Sequence, residues 1–126
     1  MKEIFYIGIG GILGTLCRYG VQLWILGRWI SGSLGTAFPW GTWVINITGS
    51  LLLGLLYGWH QSASISDGIW MIWGTGFCGA YTTFSTFGYE TLGLLGQERY
   101  SRAILYVMSS VLLGVAASFA GVWLIA

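Results

Sequence analysis

The stretch GAYTTFSTFGYE, residues 79 to 90, puts hydroxyls, glycines, aromatic rings and a carboxylate into the middle of an apolar segment. Phe84 and Phe87 are spaced i, i+3 and would share one face of a helix. Ser85 and Thr86 set two hydroxyl donors between them. An aromatic ring carries a positive edge. Two ring edges flanked by hydroxyls can therefore hold a small anion as it sheds water. Core packing or lipid contact also accounts for a phenylalanine pair in an apolar helix. Just upstream, Gly79 is a poor helix former, and Thr82 and Thr83 can cap a fresh helix. An unwound backbone there would free the carbonyls of Gly79 and Thr82, hard oxygen ligands for a small cation. The helix restarting after them would turn N–H groups and a positive dipole end toward an anion.

Other polar residues lie in apolar surroundings. Asn46 carries a two-donor amide that can serve an anion or tie two helices together. Tyr106 and Ser110 are one turn apart and can extend a hydroxyl track, or simply pack. Arg18 is the one cation deep in an apolar run, where a charge defaults to a functional candidate. It can draw anions into a vestibule or snorkel to an interface. Glu90 can pair with an arginine or face a wet cavity, and His60 falls at a helix end. Cys17 and Cys78 form no CxxC pair, and with a single histidine in the chain no zinc-ligand spacing exists.

These residues need elements that position them in lipid. Of 126 residues, 56% are hydrophobic and only 7% charged, against about 25% in soluble domains. Twenty-one glycines and eight tryptophans suit close helix packing and interfacial anchoring. A net charge of +1 offers no basic patch for nucleic acid. The chain reads as one all-α membrane domain, residues 1–126, with four transmembrane helices at about 4–26, 42–59, 69–95 and 103–125. Met1 to Cys17 reads as a retained first helix rather than a signal peptide, because Glu3 sits beside Lys2 and the apolar run continues past Arg18. The first connection, with Arg28 and Trp29, carries turn and charge signals.

The third segment is too long for a straight crossing. About 27 residues would reach roughly 40 Å, against a hydrocarbon core of about 30 Å. Its middle is rich in glycine, so a break is expected near 79–82. Unwound backbone at that depth survives only where protein or a wet cavity satisfies it, and discontinuous helices mark ion and substrate sites. Asn46, Gly49, Ser50 and Leu53 fall on one side of the second helix. Ser110, Gly114, Ala117, Ser118 and Gly121 form a small-residue ridge on the fourth. Packing within one chain explains such ridges as well as dimerisation does. Lys2 on one side opposes Arg28, Arg99 and Arg102 on the other, a weak bias that leaves both membrane orientations open.

The sequence resembles the Fluc (CrcB) family of fluoride channels along essentially its whole length. The motifs are GGILGTLCRYG in the first helix, GTWVINITGSLLLG in the second and GFCGAYTTFSTFGYE in the third. The resemblance implies an antiparallel, dual-topology homodimer in the cell membrane with two fluoride pathways. It implies a structural sodium ion, not itself transported, held by backbone carbonyls at positions matching Gly79 and Thr82. Phe84 and Phe87 match the aromatic pair of the pathway and Asn46 its asparagine. Ser85, Thr86, Tyr106 and Ser110 fit polar pathway positions, Arg18 the vestibule arginine, and Glu90 the glutamate after the motif. Gly114 departs from the pattern, offering no hydroxyl where some relatives carry serine.

The expected activity is passive fluoride export, without ATP or a proton relay. A dual-topology multidrug exporter is the nearest rival, but it needs a membrane-embedded carboxylate in the first helix, where this chain has only Glu3 at the edge. A membrane scaffold would not need the broken helix. No nucleophile–base pair or carboxylate dyad suggests an enzyme.

Overall fold

The computed structural model describes residues 1–27 and 38–126. The expectations for Arg28 and Trp29 lie outside the described residues. Every regular element among the described residues is helical. Helix α1 runs Lys2–Ile25 and α2 runs Trp40–Gln61. A continuous helical run, 67–81, forms α3. It starts as α-helix at Asp67–Ile69, widens to π-helix over Trp70–Cys78, and returns to α-helix at Gly79–Tyr81. Helix α4 is Ser85–Gly96, and α5 is Tyr100–Ile125. Helices α1, α2 and α5 are each long and apolar enough to cross a membrane. The third segment is divided between α3 and α4.

Local chemistry sets the element ends. Pro39 precedes α2 and its carbonyl accepts from Trp43 N at 3.1 Å, so the missing proline N–H costs nothing there. Ser66 caps α3 through its hydroxyl, which accepts from Ile69 N at 3.2 Å. Helices α2 and α4 end in the same way. Ala63 and Glu98 adopt left-handed φ angles of 58° and 57°. The next amides, Ser64 N and Arg99 N, fold back to Trp59 O and Leu94 O at 2.9 Å each. This is the six-to-one closure that usually employs glycine. Here non-glycine residues make both turns.

The glycines work instead at helix contacts. Helix α1 lies against the π-helical stretch of α3, and α2 against α5. A Cβ on Gly10 would stand 1.8 Å from Ile72 O, and one on Gly14 2.3 Å from Phe77 O. A Cβ on Gly54 would stand 2.2 Å from Ser118 O, and one on Gly121 2.6 Å from Leu51 O. The part of the α5 ridge at Ser118 and Gly121 therefore packs within the chain. Trp70 folds its ring over Gly74, where a Cβ would be 2.6 Å from the indole.

A small core of Phe38, Leu94, Ala103 and Tyr106 closes the end of the molecule near the start of α2, with Trp40, Trp43 and Phe87 packed on it. Much else is left uncovered. Phe84 is 84% exposed, and Phe119 and Trp123 are also open. Contiguous apolar exposure on this scale is foreign to a water-soluble monomer.

The α1–α3 contact depends on missing side chains. Gly10→Ala should lower stability by about 1–3 kcal/mol through forced backbone displacement. Gly8→Ala, where a Cβ meets nothing within 4 Å, should be neutral or stabilising. Thermal denaturation in micelles followed by circular dichroism distinguishes them, and equal midpoints would refute the close-contact explanation.

Candidate functional site

The interruption between α3 and α4 is built by side chains. Thr82 leaves helical geometry at φ −78° and ψ 159°. Its amide and its hydroxyl both donate to Cys78 O, at 3.0 and 2.8 Å. Thr83 is held from α2: its N–H donates to Asn46 Oδ1 at 2.8 Å, and its carbonyl accepts from Asn46 Nδ2 at 2.9 Å. One amide side chain thus pairs both backbone groups of Thr83. Thr83 Oγ1 then accepts from Thr86 N at 3.2 Å and caps the new helix.

The sequence places the unwinding at Gly79 to Thr82. In the structure Gly79–Tyr81 is α-helical, and the non-helical residues are 82–84. Glycine only lowers the cost of unwinding; Asn46 decides where it happens. The carbonyls of Gly79, Ala80, Tyr81 and Thr82 all lose their i+4 helical partners, because residues 82–84 leave helical geometry. Thr83 N, which would cover Gly79 O, donates to Asn46. Thr86 N, which would cover Thr82 O, donates to Thr83 Oγ1. Gly49 lets α2 come close here, since a Cβ on it would lie 2.3 Å from Thr82 Cγ2. Thr48 Oγ1 and Tyr81 OH hydrogen-bond at 3.0 Å beside it.

A cavity of about 300 Å³ opens on this interruption, and Asn46, Thr82, Phe84, Phe87 and Ser110 line it. The rings of Phe84 and Phe87 are 6.1 Å apart and tilted by 37°. Phe87 in turn lies 5.0 Å from the ring of Tyr106. The hydroxyls of Tyr106 and Ser110 are buried and have no hydrogen-bond partner among the described residues. Most buried hydroxyls find one. Ser50 Oγ, also in this wall, donates to Asn46 O at 2.7 Å.

Not every residue singled out in the sequence gathers here. Ser85 and Thr86 open α4 but do not line the cavity, and neither does Tyr106, which is buried behind Phe87. Gly79 and Thr82 line a second cavity of about 500 Å³, with Thr75, Ser118 and Trp70. Glu90 borders a third, with Pro39, Tyr89 and Gln97. Its carboxylate accepts from the Thr42 hydroxyl rather than from an arginine, and Thr42 also accepts from Gln22 Nε2 at 3.2 Å. Arg18 makes no hydrogen bond or ion pair among the described residues and lies one turn before Gln22 on α1. His60 bonds Asp67 Oδ1 at 2.8 Å and stacks on Trp70.

Sequence reasoning misses the parts played by Gln22, Thr42 and Thr83. The first two carry a usable signal, because each is a polar side chain in an apolar helix that must be satisfied inside the bilayer. Thr83 is legible only as a cap; nothing local marks its backbone as the partner of Asn46.

Residues 5–122 match the family model described as CrcB-like protein, Camphor Resistance (CrcB). The chain belongs to this family. A relative from Bacteroides fragilis is 43% identical over 124 residues, covering 98% of this chain and 96% of its own. One from Leptospira interrogans is 38% identical over 125 residues, covering 98% and 94%. One from Thermus thermophilus is 40% identical over 121 residues, covering 96% and 91%. Each of these CrcB-like relatives is named a fluoride-specific ion channel, FluC. With its apolar helices, this CrcB-like chain is a multi-pass membrane protein.

Replacing Asn46 by leucine keeps the side chain's branching and removes both bonds to Thr83. It should cost about 1–3 kcal/mol for each backbone group left bare. Amide hydrogen exchange over 82–88 should accelerate, and unchanged protection there would show that the interruption stands without Asn46.

Proposed function

We propose that the protein is a passive fluoride channel that lets fluoride leave the cytoplasm across the plasma membrane, and that it is not an enzyme. The observation that carries the reading is the buried, unpartnered hydroxyl of Ser110 in the wall of a cavity that Asn46, Phe84 and Phe87 also line. Fluoride is small and strongly hydrated, so a pathway must replace its water with donors. Hydroxyls, the second N–H of the Asn46 amide and the positive ring edges of Phe84 and Phe87 are such donors. The site must bind well enough to admit the ion and weakly enough to release it. Ser85 and Thr86 would extend the polar track along α4. Arg18 would raise anion concentration at the mouth. Glu90, tied to Thr42, would border the route. The relatives' names support fluoride as the ion carried.

The functional unit in this reading is an antiparallel homodimer of dual topology, its third crossing a helix broken between α3 and α4. Four helices of this size enclose no pore of their own, and the exposed Phe84 calls for a partner. Gly79 is exposed, and a Cβ there would meet open space, which leaves room for a second copy to approach. Among the uncovered carbonyls of 79–82, those of Gly79 and Thr82 would serve sodium as hard oxygen ligands. Bound there, the ion would supply a fixed positive charge that offsets the cost of fluoride in low dielectric. Tags that report a single membrane orientation in cells would rule out dual topology. A multidrug exporter would need an embedded carboxylate on α1, but Glu3 is exposed and pairs with the amino terminus.

Purified protein in liposomes should release fluoride at a rate far above chloride, measured by electrode. Phe84→Ile or Phe87→Ile should reduce fluoride efflux by at least tenfold if each ring edge contributes about 1.4 kcal/mol to the barrier. Equal efflux of both halides, or full efflux from the doubly substituted protein, would overturn the channel reading and the ring assignment respectively. Exchange from sodium into N-methylglucamine should lower the melting midpoint by roughly 4 °C or more, about what 1 kcal/mol yields in a domain of this size. Sodium should restore it. An unmoved midpoint would remove the sodium site while leaving the channel standing.

A further inference from the structure

Away from the interruption, a groove of about 370 Å³ lies between the starts of α2 and α5, lined by Phe38, Trp40, Trp43, Arg102, Leu105 and Ser109. Its walls are apolar and aromatic. Phe38 sits 4.5 Å from the ring of Trp40 and 6.3 Å from that of Trp43. Trp43 Nε1 donates to Ser109 Oγ at 3.0 Å, so these two polar groups satisfy each other and hold the indole as a wall. Arg102, Leu105 and Ser109 succeed one another along one face of α5. Ser109 lies about 10 Å deeper than Arg102 along the helix axis. Leu105, between them, is 59% exposed, so the groove is open.

Among the described residues Arg102 is the one charged residue lining the groove, and it makes no hydrogen bond or ion pair with the others. The chain has four acidic residues. Glu3 is engaged with the amino terminus, Asp67 with His60 and Glu90 with Thr42. Glu98 is exposed in the turn before α5. The stretch 28–37 contains neither Asp nor Glu. Arg102 sits in the first turn of a 26-residue helix, whose free amides add positive potential at the same rim. Tryptophans mark the depth as the membrane–water interface.

A cation at the rim, aromatic rings at headgroup depth and an apolar trough below it match an amphiphile with a negative head. We infer that the groove holds an anionic phospholipid, with its phosphate on the Arg102 guanidinium and an acyl chain along Leu105 against the Trp43 ring. Free phosphate would use the guanidinium but leave the apolar trough empty. A zwitterionic lipid would bring a positive group to the same rim. The site is separate from the proposed fluoride pathway, and its test does not depend on conduction.

The purified full-length protein, assayed by native mass spectrometry, should retain phosphatidylglycerol in preference to phosphatidylcholine. Arg102→Gln should reduce phosphatidylglycerol retention about fivefold, the effect of one basic residue near an anionic headgroup. Arg99→Gln, a neighbouring charge outside the groove, should change it less than twofold. Leu105→Trp should fill the trough and also lower retention, with the charge untouched. Circular dichroism in micelles checks that each variant is folded. Equal retention of the two lipids, or an Arg99→Gln loss as large as that of Arg102→Gln, would overturn the site. Displacement of the lipid by millimolar inorganic phosphate would reassign Arg102 to small anions. A loss on Arg102→Gln with none on Leu105→Trp would leave only surface charge and refute the groove.

Discussion

A backbone cannot leave helical geometry inside a bilayer unless something replaces the hydrogen bonds it gives up. In this protein the replacement is a single amide. Asn46 takes the N–H of Thr83 and gives a hydrogen to its carbonyl. Thr82 folds its own hydroxyl back onto Cys78, and Thr83 caps the start of α4. The cavity beside Phe84 and the uncovered carbonyls of 79–82 lie where that pairing holds the chain out of helical geometry. By residue type alone, Asn46 suits a helix tie more readily than an ion donor. The geometry makes it the tie first, with one N–H left over.

Glycine has a different role from the one its abundance suggests. The two left-handed turns at helix ends are made by Ala63 and Glu98. Gly10, Gly14, Gly54 and Gly121 instead remove side chains where one backbone presses on another. These contacts set α1 against α3 and α2 against α5, while Gly49 lets α2 come close enough for Asn46 to reach Thr83. Small residues substitute here for the hydrophobic drive that lipid denies to helix association.

Composition and apolar runs make the all-helical membrane architecture legible, because about 20 apolar residues in sequence have few other uses. Of the residues that stand out in those runs, Asn46, Phe84, Phe87 and Ser110 line one cavity. The position of the interruption is less legible. Gly79 is permissive but stays helical, because the decision rests with a residue whose partner lies 37 positions away along the chain. The π-helical winding of Trp70–Cys78 leaves no periodic signal in so short and uniformly apolar a stretch. Thr42 and Gln22 stand out as polar groups in lipid, yet their link to Glu90 depends on three helices meeting.

The reciprocal pairing of Asn46 with Thr83 also bears on how the chain enters the membrane. Helix α4 has 12 residues and reaches only about 18 Å, well short of the hydrocarbon thickness. Neither it nor α3 offers the insertion machinery a self-sufficient span. Asn46 lies on α2, which leaves the ribosome earlier and is long and apolar enough to cross unaided. The order of elements along the chain thus places a ready-made row of polar groups in the bilayer before the fragile segment arrives. A circular permutation that delivered 67–96 ahead of α2 would present the same residues in an order that leaves the loosened backbone with nothing to hold.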